Sequence, residues 1–335
     1  QLTEYFKEIG EKPFRAKQAY DWLWSKNLHS IDEMTNLSKD LRDKISKEFT
    51  INPISVDLLQ KSKDGTIKNG VKLHDGLMVE SVLIPTESRT TACVSSQGGC
   101  SLNCEFCATA KLKRMRNLEV AEIVDQVALI DKQSKLYFDR PLSNIVFMGM
   151  GEPMMNYKNV VDAIKKITDE DGLGMSARRI TVSTSGIPKM MRMLADENLK
   201  VKLALSLHSA IEHKRNEIMP FSTKFPLTEI MEAMQYWYSK TENRITFEYC
   251  VWKGINDGDE DIKALIKYCR QVPCKVNLIQ YNPIGEGKFD HRSVEAEERY
   301  VRELEKAGIT VLVRRSRGGD IDAACGQLAN KNSGE

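Results

Sequence analysis

Three cysteines lie close together in one short segment of the chain. Cys100, Cys104 and Cys107 form a CxxxCxxC pattern. Thiolates are soft, anionic ligands that suit iron–sulfur clusters or zinc. Three thiolates can hold three irons of a four-iron cluster, which leaves the remaining iron open to another ligand. We predict a metal centre at this segment; the alternatives are a structural zinc site with a distant fourth ligand, or three unrelated buried thiols.

Two further cysteines stand apart from this segment. Cys93 precedes it, and Cys325 lies near the end of the sequence between small and polar residues that predict a mobile loop. One of the two could complete a zinc site, or the two could act as a redox or nucleophilic pair. Cys250, Cys269 and Cys274 fall in or beside strand and helix patterns, so we expect them to serve packing.

A glycine-rich turn follows an apolar segment at residues 148–153. Gly151 would let the backbone approach a ligand closely, and the carboxylate of Glu152 could accept a hydrogen bond from an ammonium group. An ordinary turn is the alternative. Polar side chains also follow other apolar segments of the same kind, namely Ser183, Ser206, His208 and Asn282.

The elements that position these residues fall into three regions. Residues 1–50 predict helices, and residues 51–86 predict a β-connector with turns at the Asp-Gly pairs of residues 64–65 and 75–76. From residue 87 to residue 330 strands and helices alternate, which predicts an α/β fold with a parallel sheet, doubly wound or curled into a partial barrel. The predicted strands are Asn144–Met148, Arg179–Ser183, Lys202–Leu207, Ile245–Val251, Lys275–Tyr281 and Thr310–Arg314. The predicted helices between them are Asn156–Thr168, Pro188–Leu194, Leu227–Trp237, Asp257–Cys269 and Val294–Lys306.

Composition sets broad limits on function. The 335 residues include 41% hydrophobic residues, enough for a sizeable core, and the formal net charge is only +2. No apolar run is long enough for a membrane span and no signal-peptide pattern is visible, so we expect a cytoplasmic protein.

Two basic runs could contact phosphates: Lys111, Lys113, Arg114 and Arg116, and Arg314, Arg315 and Arg317.

Several segments together resemble one known family. They are Val94–Gln97, Cys100–Cys107, Met148–Pro153, Thr181–Gly186, Leu205–His208, Val276–Ile279 and Asp320–Leu328. In these segments the chain resembles the RlmN/Cfr family of radical S-adenosylmethionine (SAM) methyltransferases, and it is more similar to the RlmN branch than to the Cfr branch. The resemblance implies a partial (β/α) barrel core with a small N-terminal helical domain, a [4Fe–4S] cluster and SAM.

The resemblance also implies roles for single residues. Cys100, Cys104 and Cys107 would hold the cluster. The SAM site would be lined by Gly151, Glu152, Ser183, Ser206, Leu207, His208 and Asn282. Cys325 would accept a methyl group and become linked to the RNA, Glu80 would accept a proton, and Cys93 would release the product by forming a disulfide with Cys325.

The implied activity is methylation of carbon 2 of adenosine in large-subunit ribosomal RNA and in transfer RNA. Methylation of carbon 8, as in the Cfr branch, is the alternative within the family, and a zinc-bearing RNA-binding module without catalysis is the alternative outside it. A radical enzyme of this kind needs an electron donor such as flavodoxin or ferredoxin. We further expect a monomer with no membrane partner.

Overall fold

A computed structural model describes residues 2–285 and 294–330 of the chain. Its N-terminal part contains three helices: α1 (Leu2–Glu8), α2 (Pro13–Trp24) and α3 (Lys39–Glu48). Ser38 caps α3, as its sequence predicts, because its hydroxyl accepts a hydrogen bond from the Leu41 amide at 3.3 Å. Phe6, Leu41 and neighbouring apolar residues form a hydrophobic core that is separate from the main core.

Three antiparallel strands follow the helices: β1 (Ser55–Lys61), β2 (Ile67–Lys72) and β3 (Met78–Pro85). The two turns between them lie at the predicted Asp-Gly pairs. Gly65 and Gly76 have φ angles of +87° and +83° there, a left-handed conformation that favours glycine. This β-connector joins the helices to the larger sheet, because β3 pairs with the next strand.

Seven parallel strands and seven further helices make up the rest of the described chain. The strands are β4 (Thr90–Cys93), β5 (Asn144–Phe147), β6 (Ile180–Thr184), β7 (Lys202–Ser206), β8 (Ile245–Cys250), β9 (Cys274–Ile279) and β10 (Val311–Arg314). The helices are α4 (Val120–Phe138), α5 (Tyr157–Thr168), α6 (Pro188–Asp196), α7 (Glu212–Ile218), α8 (Leu227–Thr241), α9 (Asp259–Cys269) and α10 (Val294–Lys306).

The strand order decides between the two predicted architectures. All ten strands form one sheet in simple sequence order, β1 to β10, and β4 to β10 are parallel. A doubly wound sheet would reverse its strand order at a switch point. Here each crossover leads to the next strand on the same side of the sheet. When all such crossovers are right-handed, the helices lie on one face and the sheet curls toward a barrel. The α/β fold with a barrel-like core and an N-terminal helical domain is therefore confirmed.

Some elements differ from the sequence-based expectations. The strand β4 and the helices α4 and α7 were not predicted, whereas α10 has its predicted bounds and the other predicted helices agree within a few residues. Within the described part of the chain, no helix is long and apolar enough to cross a membrane.

Candidate active site

A deep cleft opens at the carboxyl ends of the parallel strands, where α/β folds carry their chemistry. Its empty volume is about 1040 Å³, which includes solvent space at its open mouth. The cleft is lined by residues of the cluster loop (residues 100–107), of the ends of β5 to β9, and of the C-terminal loop (residues 318–330). Segments far apart in the sequence thus share one site.

The three cysteines of the cluster loop all line this cleft. Cys100 and Cys104 are buried, and Cys107 is half-buried. Among the described residues, no group of three His, Cys, Asp or Glu side chains is arranged as the ligands of a single metal ion. Three thiols around one shared space are the donor set of an iron–sulfur cluster, in which each iron takes its own thiolate. The residues present therefore fit such a cluster.

Glu152 lies in the same cleft with its carboxylate held in place. Its two oxygens accept hydrogen bonds from the amides of Met154, at 3.0 Å, and Ser185, at 2.8 Å. Burial raises the pKa of this carboxyl, and the backbone donors partly offset that effect. Gly151 precedes it with a φ of +94°, and a Cβ there would lie 2.5 Å from the Gln97 side chain. The turn therefore requires glycine, and it aims a fixed carboxylate into the cleft.

Four other predicted SAM residues also line the cleft, and one does not. Ser183, Ser206, His208 and Asn282 contribute to its wall. Leu207 follows Ser206, but its side chain is fully buried in the main hydrophobic core. Leu207 does not line the cleft, and its backbone groups are hydrogen-bonded within the protein. Its amide donates to the Glu248 carbonyl at 3.0 Å.

His208 adopts a left-handed conformation, with a φ of +56°, at the end of β7. Its Nδ1 accepts a hydrogen bond from the Cys250 amide at 3.2 Å, so in the neutral ring the proton is on Nε2. Burial lowers its pKa to about 3, and the nearby Arg215 charge adds to this effect. The ring contacts Phe106 of the cluster loop at 4.5 Å between centroids. His208 is thus a neutral hydrogen-bond donor beside the cluster loop.

Arg215 on α7 is a functional candidate that the sequence did not reveal. Its guanidinium donates to the carbonyls of Ser185, Ser206 and Leu207 at 2.5, 2.8 and 2.6 Å. It has no carboxylate partner among its hydrogen bonds, and burial lowers its pKa. Burial also raises the pKa of Cys104, an effect that the Arg215 charge opposes. One buried cation thus joins two strand ends and faces the cluster loop.

A row of polar residues crosses three neighbouring strands at the cleft. Ser206 on β7 is aligned with Glu248 on β8, and Glu248 is aligned with Asn277 on β9. A Glu248 carboxylate oxygen accepts a hydrogen bond from Asn277 Nδ2 at 2.8 Å, and burial raises the pKa of Glu248. The Asn277 side-chain oxygen is buried with no hydrogen-bond partner. The sequence analysis missed this row because strand register cannot be read from local motifs.

Cys325 reaches the cleft from the C-terminal loop, and its side chain remains accessible to solvent there. The surrounding walls raise the pKa of its thiol to about 11, and the Glu248 charge adds to the effect. The loop is irregular, as predicted, but it is not free. Gly326 accepts a hydrogen bond from the Ala108 amide at 2.7 Å, and Leu328 accepts one from the Thr109 hydroxyl at 2.6 Å.

Cys93 is the last residue of β4 and is buried outside the cleft lining. Burial raises the pKa of its thiol, and the Cys325 thiolate adds to this effect. Cys325 therefore lies near enough for its charge to act on Cys93. Both are free thiols in the structure, and no disulfide joins them.

Glu80 lies inside β3 rather than at a solvated surface. Its carboxylate is buried, 3.2 Å from Lys68 Nζ, and it accepts a hydrogen bond from the Ala329 amide at 2.8 Å. Two basic residues of the predicted phosphate-binding runs are already paired with carboxylates. Lys111 Nζ lies 3.3 Å from Glu105. Arg116 binds Glu122 and Asp75, at 2.7 Å each. Lys113, Arg114, Arg314 and Arg315 are exposed.

Comparison with known proteins agrees with this geometry. Residues 1–51 match the model described as "Ribosomal RNA large subunit methyltransferase N-terminal domain", and residues 94–269 match that of the radical SAM superfamily. A curated relative from Christiangramia forsetii, named "Probable dual-specificity RNA methyltransferase RlmN", is 64% identical over 99% of this chain and 95% of its own length. The chain belongs to the RlmN family.

Two further comparisons extend this result. A "Dual-specificity RNA methyltransferase RlmN" from Geotalea uraniireducens is 42% identical over 99% of this chain and 94% of its own length. The crystal structure of a radical SAM methyltransferase from Sphaerobacter thermophilus superposes with a TM-score of 0.92, at 38% identity, covering 98% of this chain and 96% of that one. This RlmN-family protein is accordingly a SAM-dependent enzyme with a 4Fe–4S cluster, which excludes the non-catalytic zinc module.

Proposed function

We propose that this enzyme methylates carbon 2 of adenosine in large-subunit ribosomal RNA and in transfer RNA, through a methylated cysteine and a covalent enzyme–RNA intermediate. The names of its RlmN relatives describe dual-specificity RNA methyltransferases. One observation carries the proposal: the Cys325 thiol enters the cleft lined by the three cluster-loop cysteines and by Glu152.

Some cleft residues would bind the cluster and SAM, and others would take part in the reaction. Cys100, Cys104 and Cys107 would hold the cluster. The SAM site would comprise Gly151, Glu152, Ser183, Ser206, His208 and Asn282. The fixed Glu152 carboxylate suits the SAM ammonium group, and the His208 Nε2–H suits an acceptor oxygen or nitrogen. Bound together, the cluster and SAM supply a transferable methyl group and a carbon radical that abstracts hydrogen.

The two reactive thiols then act in order. The Cys325 sulfur loses its proton and takes a methyl group, which gives a thioether. After one hydrogen atom is removed from that methyl, the methylene carbon on Cys325 bonds to carbon 2 of the adenine. A carbon radical is suited to this step because carbon 2 is electrophilic and does not attack a methyl cation donor. Loss of the carbon-2 proton, which Glu80 would accept, and transfer of one electron to the iron–sulfur cluster would restore the aromatic ring.

Cys93 completes the sequence by releasing the base. Its thiolate attacks the Cys325 sulfur, so an S–S bond forms and the bond from sulfur to the methylene carbon breaks. The carbon keeps the electron pair and takes a proton, and it leaves as the new methyl group. The disulfide formed in this way must be reduced by an external dithiol before the next cycle. Such a pair requires two thiols near each other, which agrees with the effect of the Cys325 charge on the pKa of Cys93.

The RNA would reach the cleft across its basic rim. Exposed Lys113 and Arg114 follow the cluster loop, and Arg314 and Arg315 precede the C-terminal loop. The target base must leave its stack to enter such a cleft. Substrates of this kind place the enzyme in the cytoplasm, with flavodoxin or ferredoxin as electron donor, and we propose that it acts as a monomer.

The test is a methylation assay with isotopically labelled SAM on unmodified RNA. The product nucleoside is identified by mass spectrometry, and we expect the label on carbon 2 of adenosine. Label on carbon 8 would instead assign the Cfr-type reaction. In a Cys93→Ala variant, RNA covalently bound to Cys325 should accumulate, whereas a Cys274→Ala variant, which changes a half-buried cysteine elsewhere, should release product normally. Absence of the adduct would contradict the role of Cys93.

A further inference from the structure

One buried ion pair holds both ends of the segment that carries Cys325. Lys68 on β2 lies 3.2 Å from Glu80 on β3, and their side chains are only 2% and 4% exposed. Lys68 Nζ also donates to the Asp322 carbonyl at 3.4 Å, before Cys325. Glu80 accepts a hydrogen bond from the Ala329 amide at 2.8 Å, after Cys325. The pair therefore contacts the segment on both sides of the reactive thiol.

The remaining contacts show which part of the loop depends on this pair. Residues before Asp322 have anchors of their own, because Asp64 accepts from the Gly318 amide at 2.9 Å and Ser62 donates to Asp320 at 2.5 Å. The Glu80 backbone is fixed separately, since its carbonyl accepts a hydrogen bond from Ser95 at 2.5 Å. Between its two ends the segment has further bonds, since Gly326 and Leu328 accept hydrogen bonds from the Ala108 amide and the Thr109 hydroxyl. The side chains of Lys68 and Glu80 thus act at the two ends of residues 322–329, in addition to these bonds.

Burying an ion pair costs desolvation free energy, which is recovered only if the remaining donors and acceptors of both side chains are hydrogen-bonded. In this structure, Lys68 and Glu80 make those hydrogen bonds with the C-terminal loop. We propose that Lys68 is a positioning residue, and that the Lys68–Glu80 pair is a charge-dependent clamp on residues 322–329. This inference rests on the proposed function, because that function makes Glu80 the proton acceptor and Cys325 the thiol that must meet Cys93.

The charge of Glu80 links the clamp to the reaction. The proton leaving carbon 2 of the adenine converts the Glu80 carboxylate to a neutral carboxyl, and the attraction to Lys68 falls. A neutral carboxyl also accepts a weaker hydrogen bond from the Ala329 amide than a carboxylate does. The two contacts of the pair with the segment therefore weaken immediately before Cys93 attacks Cys325. Both cysteines are free thiols while the clamp is closed.

The test uses the cluster-loaded enzyme under anaerobic conditions, without RNA. Iodoacetamide labelling of Cys325 is followed by peptide mass spectrometry, and hydrogen exchange is measured over residues 322–330. In Lys68→Met and Glu80→Gln, Cys325 should label faster by about tenfold, the scale set by losing a charge-assisted hydrogen bond. Lys68→Arg should stay near the wild-type rate. Cys274 in the same molecules serves as the reference thiol.

Two results would overturn the clamp. The first is wild-type labelling in both Lys68→Met and Glu80→Gln. The second is wild-type labelling in the double variant Lys68→Met/Glu80→Gln, for which the clamp predicts fast labelling. A wild-type rate there would mean that each single variant acts only by leaving one buried charge unpaired. Lys214→Met, which breaks an ion pair with Asp261 at 2.9 Å, should leave Cys325 unchanged. Labelling involves no methyl transfer, so its result is independent of whether carbon 2 is methylated.

Discussion

At the scale of single residues, Gly151 offers the sharpest test of the SAM site. A Gly151→Ala variant places a Cβ 2.5 Å from Gln97, whose side chain receives the Glu152 amide at 2.9 Å. We expect loss of about 1–3 kcal/mol of stability from the strained backbone and the overlap, and weaker SAM binding because Glu152 is displaced. Thermal unfolding and equilibrium dialysis with SAM measure the two effects.

Gly254 provides the matched control for this substitution. It also has a positive φ, +74°, but a Cβ there meets nothing within 4 Å. Gly254→Ala should therefore cost only the backbone strain and leave SAM binding unchanged. Equal loss of SAM affinity in both variants would refute the specific role of the Gly151–Glu152 turn.

His208 gives the structure a pH dependence that can be measured. Its pKa of about 3 in the folded state lies below the value near 6.5 of an unfolded histidine. The unfolded state therefore binds the proton first, and the stability that neutral His208 contributes is lost as the pH falls below about 6.5. The slope from this residue approaches about 1.4 kcal/mol per pH unit.

Unfolding in urea between pH 5 and 8 checks this expectation. The free energy of unfolding should fall more steeply toward pH 5 in the wild type than in His208→Gln, whose side chain does not titrate. His29, which is exposed to solvent, supplies the control His29→Gln. Parallel curves for the wild type and His208→Gln would contradict the depressed pKa.

At the scale of elements, the short helix α7 ties two strands to the cluster loop through Arg215. Replacing Arg215 with Met removes the donors of three carbonyls at the ends of β6 and β7. Unpaired buried carbonyls cost about 1–3 kcal/mol each, so we expect a total loss of several kcal/mol. Iron content after anaerobic purification should fall as well, because Arg215 faces Cys104.

An exposed ion pair supplies the comparison for Arg215. Arg192 lies 3.5 Å from Glu232, and both side chains are exposed. Such pairs contribute about 0–1 kcal/mol, so Arg192→Met should unfold and bind iron nearly as the wild type does. If Arg215→Met were no less stable than Arg192→Met, the proposed bracing of the strand ends would be wrong.

Local patterns predicted most of the elements, and non-local contacts explain what was missed. The helix α10 and the Ser38 cap follow from short-range periodicity and capping. The helix α4 has a similar apolar spacing at Ile123, Val127 and Ile130 and could have been found. The short, charged α7 could not, because its burial depends on carbonyls that other strands supply.

The same distinction separates the predicted site residues from the missed ones. The cysteines of the cluster loop are recognisable because their ligand spacing is local. The positions of Glu248 and Asn277 depend on strand register, and the anchoring of the C-terminal loop depends on partners such as Ser62 and Asp320, 258 residues apart. Sequence spacing contains no direct record of such pairs.

At the scale of the whole molecule, the N-terminal helices attach to the catalytic part through α2. The Tyr20 hydroxyl donates to Asp169, just after α5, at 2.7 Å and accepts from Lys166, in the last turn of α5, at 2.8 Å. Trp24 packs against the main core although the rest of the helices have a core of their own. Lys166 also lies over the Tyr20 ring at 4.3 Å. A small set of polar contacts thus sets the angle between the two parts.

This attachment predicts a change in the mobility of the N-terminal helices that leaves the cofactor site intact. In Tyr20→Phe the ring remains, but the hydroxyl that links Asp169 and Lys166 is lost, so the N-terminal helices should move more freely against the core. We expect faster hydrogen exchange in α2, with unchanged iron content and SAM affinity. Tyr5→Phe removes a hydroxyl that bonds Lys44 within the N-terminal helices, at 3.0 Å, and should retain the wild-type exchange rate of α2. Equal exchange rates of α2 in both variants would mean that the Tyr20 hydroxyl does not hold the two parts together.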